Sequence, residues 1–210
     1  VAGDHVKMTQ VVKLVQINAL PSSDTFEKQT TDVLADVYVA FASKIVSNET
    51  APTQGGNDIL DGGQDDDYLI GGPGDDDGTG GRGNDVILGD RGQIDFDLSF
   101  VDAEDPNWTY GKSELFVLLT VKSTDLNPVT DIPFTGVDEL SGGHGNDVVI
   151  GGGRGDFLYG DQELDGSFDP WIGEFPADVR DMLLGDNGQV DYAQHGQVVK
   201  VFTTDTVDAT

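Results

Sequence analysis

Aspartate recurs every nine residues through the middle of this chain. Laid out in nines from Gly62, the sequence reads GGQDDDYLI, GGPGDDDGT, GGRGNDVIL and GDRGQIDFD, with TQGGNDILD one row earlier, so Asp58, Asp67, Asp76 and Asp85 share a column. A second block, PFTGVDELS, GGHGNDVVI and GGGRGDFLY, aligns Asp138, Asp147 and Asp156, and PADVRDMLL restores the column with Asp181. Carboxylates in such numbers suit either acid–base catalysis or the binding of a hard cation. Catalysis needs an acid and a base held in different environments, and a uniform column singles out no such pair. The chain also lacks G-x-S-x-G, H-E-x-x-H and cysteine, and His5, His144 and His195 are dispersed, so no enzyme is expected. With 39 acidic against 11 basic residues and a net charge of -28, the partners expected are cations. Nucleic acid and anionic membrane are excluded on the same ground.

The elements that must position these carboxylates show the same period. Two places after each aspartate stands an apolar residue, Leu60, Leu69, Ile87, Leu140, Val149, Leu158 or Leu183, with a gap at Gly78. One large apolar side chain per row describes a short strand with one buried position. Hydrophobic residues make up 37% of the chain, glycine numbers 29 of 210, and there is no disulfide to reinforce so lean a core, so another staple is needed.

These rows resemble the RTX, or haemolysin-type calcium-binding, nonapeptide repeat, G-G-x-G-x-D-x-U-x. The resemblance implies an all-β fold: calcium-stabilised parallel β-roll blocks, two rows to a coil, with intervening antiparallel or irregular β segments. It also implies several Ca2+ ions as the cofactor, since calcium takes about 6 to 8 oxygens that turn carbonyls and stacked aspartates can supply together. The ligands implied are Asp58, Asp67, Asp76, Asp85, Asp138, Asp147, Asp156 and Asp181, with the turn glycines Gly63, Gly72, Gly74, Gly81, Gly83, Gly136, Gly143 and Gly145. Asp90 and Asp186 join them from the rows that close each block. Aspartates eighteen apart should stack, Asp58 over Asp76, Asp67 over Asp85 and Asp138 over Asp156. Gly78, which removes a core side chain, and Arg154, which replaces a turn glycine, should weaken nearby sites. Asp65, Asp66, Asp75 and Asp77 lie off the column and are expected to be solvated or to cap turns.

A longer repeat encloses the nonapeptides. LGDRGQIDF, from Leu88, recurs as LGDNGQVDY from Leu184, and AGDHVKMT resembles a degraded copy. In these closing rows Ile94 and Val190 occupy the aspartate column, where they are expected to plug the end of a coil and start a longer strand. Alternation in VYVAFASKIVSNET, ELFVLLTVKST and QVVKVFTTDT predicts hairpin-like excursions whose Ser/Thr-rich ends are equivalent. The organisation expected is a closing-row remnant and excursion over 1–52 and a first roll block over 53–97. An excursion follows over 98–132, then a second block over 133–193 with an insertion at 161–176, and an excursion over 194–210 leading to a further repeat.

The function expected is a calcium-binding structural repeat unit of a large extracellular or cell-surface protein, a surface layer, adhesin or filament, that folds and assembles head-to-tail with neighbouring copies or repeats. Two alternatives stand beside it: a calcium-triggered secretion and folding module of a secreted enzyme or toxin, and a carbohydrate- or partner-binding adhesive module. No membrane insertion is expected, for no segment approaches the roughly 18 apolar residues of a span. Sequons at Asn48 and Asn107 make a glycan a candidate partner. Arg154-Gly155-Asp156 spells an integrin-type tripeptide, but the calcium column explains its aspartate. Trp108, Tyr110, Phe168, Trp171 and Phe175, in the two insertions, are expected to pack over the open side of the roll.

Overall fold

Rows that alternate a glycine-rich turn with a three-residue apolar stretch can bury that stretch only by stacking it on the next row. In the computed structural model, which describes residues 6–18, 34–47, 55–97, 117–125, 134–161, 180–193 and 197–204, they do so in register. The strands are β1 Val6–Asn18, β2 Leu34–Ser47, β3 Ile59–Gln64, β4 Tyr68–Ile70, β5 Asp77–Arg82, β6 Val86–Leu88 and β7 Gly92–Asp97. They continue with β8 Val117–Ser123, β9 Glu139–His144, β10 Val148–Ile150, β11 Phe157–Tyr159, β12 Met182–Leu184, β13 Gly188–Tyr192 and β14 Val198–Thr203. Two four-stranded parallel sheets, β3-β5-β9-β11 and β4-β6-β10-β12, form the walls of one roll.

The two nonapeptide blocks are one stack. β6 of the first pairs directly with β10 of the second, Val86 to Val148 through Leu88 to Ile150, and β5 pairs with β9 from Asp77–Glu139 to Arg82–His144. The roll thus has four coils, and its interior is a single file: Leu60, Leu69, Ile87, Leu140 and Val149, with Leu158 against them. At Gly78 a methyl group would come within 3.1 Å of Leu140 Cδ2, so the next coil's leucine occupies the gap left in the column.

A third layer covers one wall. The six-stranded antiparallel sheet β1-β2-β7-β8-β13-β14 packs Ile45, Ile94, Phe96, Val121, Val190 and Tyr192 against Tyr68, Ile70, Val86, Leu88, Val148, Ile150 and Leu184. The wall β4-β6-β10-β12 is therefore apolar on both faces. That is why its strands read YLI, VIL, VVI and MLL, whereas the opposite wall reads ILD, DGT, ELS and FLY. Ile94 and Val190, expected to plug coil ends, instead lie fully buried in the middle of this third layer. The closing row does leave the roll, but its strand turns along the flank, where a whole apolar wall needs covering.

The three hairpins β1–β2, β7–β8 and β13–β14 are copies. They start with equivalent pairs, Val6 to Ser47, Gly92 to Ser123 and Gly188 to Thr203, and each shifts register at the same place, after Thr9, Asp95 and Asp191. A bulge in the same place adds the same twist to each hairpin, so all three curve alike over the roll. The seams between hairpins also agree: Ile45 faces Ile94 across the first and Val121 faces Val190 across the second. Ser47 Oγ accepts the amide of Gly92 (2.9 Å), and Ser123 Oγ that of Gly188 (3.3 Å).

Two cores of different depth hold the molecule, and truncation should weigh on both. Ile87→Ala in the roll and Ile94→Ala beneath the third layer should each lower unfolding free energy by about 2 to 5 kcal/mol. Ile59→Ala, at a side chain 86% exposed, should be nearly silent. Denaturant midpoints at saturating calcium, with unchanged m, measure all three.

Candidate metal centre

Each coil makes two turns, and both end in the columned aspartate. The second glycine of a turn takes positive φ, 98° at Gly63, 103° at Gly72, 99° at Gly81 and 92° at Gly143, and the fourth reaches 152° at Gly74 and Gly83 and 147° at Gly145. Only glycine enters the second of these regions freely. Where another residue stands fourth, it is held at φ 71° for Asp65 and 75° for Arg154, a left-handed conformation that costs roughly 1 kcal/mol.

The aspartates form two ladders. On one side of the roll Asp58 N–H donates to Asp76 Oδ1 (2.8 Å), Asp76 N–H to Asp138 Oδ1 (2.9 Å) and Asp138 N–H to Asp156 Oδ1 (3.0 Å). On the other, Asp67 donates to Asp85 (2.7 Å), Asp85 to Asp147 (2.8 Å) and Asp147 to Asp181 (3.1 Å) in the same way. The three stacks expected eighteen residues apart are present. The ladders also run across 62 residues, from block to block, and across 34 residues around the second insertion.

One oxygen of Asp76, Asp85, Asp138, Asp147, Asp156 and Asp181 is thereby used. Oδ2 is buried with no hydrogen-bond partner in Asp58, Asp67, Asp85, Asp138 and Asp156. A buried anionic oxygen without a donor is strongly unfavourable and calls for a cation. What surrounds it is more oxygen. A Cβ on Gly71 would meet both Asp76 Oδ2 and the Gly89 carbonyl, and one on Gly80 both Asp85 Oδ2 and the Gly142 carbonyl. Gly89 repeats this with Asp138 and Gly151. Carboxylate and carbonyl oxygens from successive turns thus crowd the same point, the donor set a hard divalent cation prefers. No three carboxylates converge into a cluster among the described residues, as fits sites built largely from backbone carbonyls.

The electrostatics carry the same strain. Burial pushes Asp85 and Asp156 up to about 6 and Asp138 up to about 8, and neighbouring carboxylates add to it, Asp76 and Asp156 around Asp138. The stacked amide each one accepts opposes the rise without cancelling it.

Asp90 behaves differently. The chain leaves the roll after Gly89 and Asp90 and returns at Thr135, so one turn is assembled from two distant pieces. Asp90, buried to 2% exposure, joins them: Oδ1 accepts the amide of Gly136 (2.8 Å) and Oδ2 that of Gly153 (2.6 Å). Burial and the charges of Asp138 and Asp125 push it up to about 9. Beside it the Arg91 guanidinium pairs with buried Asp125 and lies 3.8 Å over the Phe134 ring, tying the exit to the return. Asp186, its counterpart in the second closing row, is exposed, with no described turn stacked over it.

The structure adds residues that the aspartate column does not reveal. The first glycines, Gly62, Gly71, Gly80, Gly89, Gly142, Gly151 and Gly160, are the ones whose side-chain space the carboxylates fill; the doubled GG of five of these rows is the signal for them, and Gly89 and Gly160 carry none. Residues just before the columned aspartates form a further set of stacked bonds: Asn84 N–H donates to Asp66 Oδ1 (2.7 Å), Asn146 N–H to Asn84 Oδ1 (3.1 Å) and Val137 N–H to Asp75 Oδ1 (2.9 Å). Asp66 and Asp75 therefore cap turns. Asn48, Asn107 and the aromatic residues Trp108, Tyr110, Phe168, Trp171 and Phe175 lie outside the described residues.

The RTX calcium-binding nonapeptide repeat family matches this chain in four copies, over residues 53–87 and 134–165. These segments are RTX calcium-binding repeats. The match takes in most of the four coils, but Asp181 and β12 of the fourth coil lie outside it, as does the hairpin layer. Neither the curated proteins nor the solved structures include a match to the chain. RTX repeats bind several calcium ions per block, so calcium is the cofactor, and the orphaned oxygens of this roll are of the kind it takes.

A proton can stand in for the cation in part. A carboxyl with a higher pKa in the folded chain than its ordinary 3.8 binds its proton more tightly when folded. Its contribution is present below about pH 4 and is lost as pH rises through 6 for Asp85 and Asp156 and 8 for Asp138. Calcium-free protein should therefore lose β-structure between about pH 6 and 9 and recover it on acidification. Circular dichroism along that titration checks it, and calcium at pH 8.5 should restore the acid-pH spectrum.

Proposed function

We propose that the RTX roll of this chain is a structural repeat unit of a large extracellular protein, folded by calcium held along the two aspartate ladders. The observation that carries it is the set of buried Oδ2 atoms without donors, repeated turn after turn beside glycine carbonyls. Asp58, Asp67, Asp76, Asp85, Asp138, Asp147, Asp156 and Asp181 supply the charged ligands, and the turn carbonyls the neutral ones. Asp90 chiefly closes the interrupted turn, because both its oxygens already hold amides. Ligands from separate turns do not meet in an unfolded chain, so calcium binding contributes directly to folding.

The structural role rests on repetition. Three hairpins with one register, laid over coils with one register, make a unit that can be added without distortion, and each addition buries the apolar face of the one before. Neighbouring repeats associate head-to-tail, and the array lies outside the cell, in the setting typical of RTX repeats. No residue is assigned a catalytic role.

Chelation should abolish most of the β-sheet signal at neutral pH. Asp85→Ala should lower calcium affinity at least about tenfold or remove an ion from the stoichiometry, whereas Asp66→Ala should leave the calcium content intact and cost only about 1 kcal/mol for its lost turn cap. Metal analysis and calorimetry of both variants test the assignment: equal calcium losses, or an unchanged spectrum after complete removal of metal, would overturn it.

A further inference from the structure

Among the described residues the hairpin layer ends in two unpaired edge strands that match one another. Across its inner face runs one aliphatic row: Met8 faces Ile45, Ile45 faces Ile94, Ile94 faces Val121, Val121 faces Val190 and Val190 faces Val201. Of the four inner members Ile94, Val121 and Val190 are fully buried and Ile45 is half-buried, while the two ends, Met8 and Val201, are 52% and 45% exposed. Among the described residues no further strand flanks either end. Each edge also presents a line of backbone N–H and C=O groups, the usual template for strand addition.

The internal seams say how the edges would meet. In the first, Val46 faces Gln93, Ile45 faces Ile94 and Lys44 faces Asp95; in the second, Lys122 faces Gln189, Val121 faces Val190 and Thr120 faces Asp191. β14 stands where β2 and β8 stand in their hairpins, and β1 where β7 and β13 stand, by the equivalence of Val6–Ser47, Gly92–Ser123 and Gly188–Thr203. We propose that two copies of this chain join head-to-tail through β14 of one and β1 of the other, in an antiparallel seam placing Val201 opposite Met8 of the second copy. Phe202 then faces Lys7 and Lys200 faces Thr9, and Thr203 takes the place of Ser47 and Ser123, next to the amide of Val6. The inference rests on the repeat-unit reading above and adds to it the surface and the register.

Strand counting excludes the obvious rival, in which the roll ends stack. A hairpin and a pair of coils each advance the structure by two strand spacings, about 10 Å, which keeps the two layers in phase inside the molecule. Each roll wall, however, has four strands and the hairpin layer six. Stacking β12 against β4 of a second copy would require β13–β14 and the second copy's β1–β2 to fill the same space. Joining β14 to β1 brings no such collision, and leaves the roll ends about three strand spacings apart, a gap two strands wide. The seam is heterologous and does not close, so it propagates into a filament.

The absence of cysteine makes the test direct. In a Met8→Cys/Val201→Cys variant the two thiols of one copy lie five strand spacings apart, roughly 24 Å, far beyond disulfide reach, so any bond between them joins two copies. Oxidation in calcium should give a ladder of dimers, trimers and longer species on a non-reducing gel, and Ile59→Cys/Phe157→Cys, at the roll ends, should give none. Val201→Lys in the otherwise unaltered chain should weaken calcium-dependent association at least tenfold by light scattering, with calcium content and circular dichroism unchanged. A ladder from the roll-end pair in place of the sheet-edge pair, or a Val201→Lys variant that associates normally, would overturn the seam and leave the repeat-unit reading standing. If the unaltered calcium-loaded chain stays monomeric at every concentration, the assembly reading fails, and the seam with it.

Discussion

The fold depends on a carboxylate that cannot be satisfied by protein alone. Asp85, Asp138 and Asp156 each give Oδ1 to the amide of the neighbouring coil and keep Oδ2 buried without a donor. The first bond sets the rise and register of the stack, and the second oxygen is of the kind that takes the calcium RTX repeats bind. Glycine follows from the same constraint. Any side chain at the first turn position would occupy the space of the carboxylate, and any at the fourth would have to leave the backbone conformation that aims the carbonyls.

A stack held this way has a thin core. One inward residue per strand, in single file from Leu60 to Val149, gives far less apolar burial than an ordinary domain of this length. The hairpin layer adds a second apolar interface on the outer face of one wall, and it is the larger of the two cores. Calcium and the hairpins are thus complementary supports: the ion neutralises the turns, and the hairpins bury the wall between them. Where the chain leaves the roll to build a hairpin, Asp90, Arg91, Asp125 and Phe134 rejoin the cut ends, which lets a 44-residue excursion between Asp90 and Thr135 interrupt a turn without interrupting the stack.

Sequence alone determined the nine-residue period, the columned aspartates, the single inward apolar position and the calcium chemistry, because each depends on residue type at fixed local spacing. It also determined that LGDRGQIDF and LGDNGQVDY are equivalent and lead into hairpins. Only the tertiary structure decided that the two blocks form one roll, since the pairing of Val86 with Val148 joins residues on opposite sides of a long excursion, and no local pattern encodes so distant a partner. It likewise decided the place of Ile94 and Val190. An apolar residue in the aspartate column supplies no carboxylate, but whether it plugs an end or covers a flank depends on which wall needs burying, and that wall is assembled from four separate rows. The trace was present in YLI, VIL, VVI and MLL, three apolar residues where one inward position needs a single one. Its meaning depends on a third layer that exists only once hairpins far apart in the chain lie side by side.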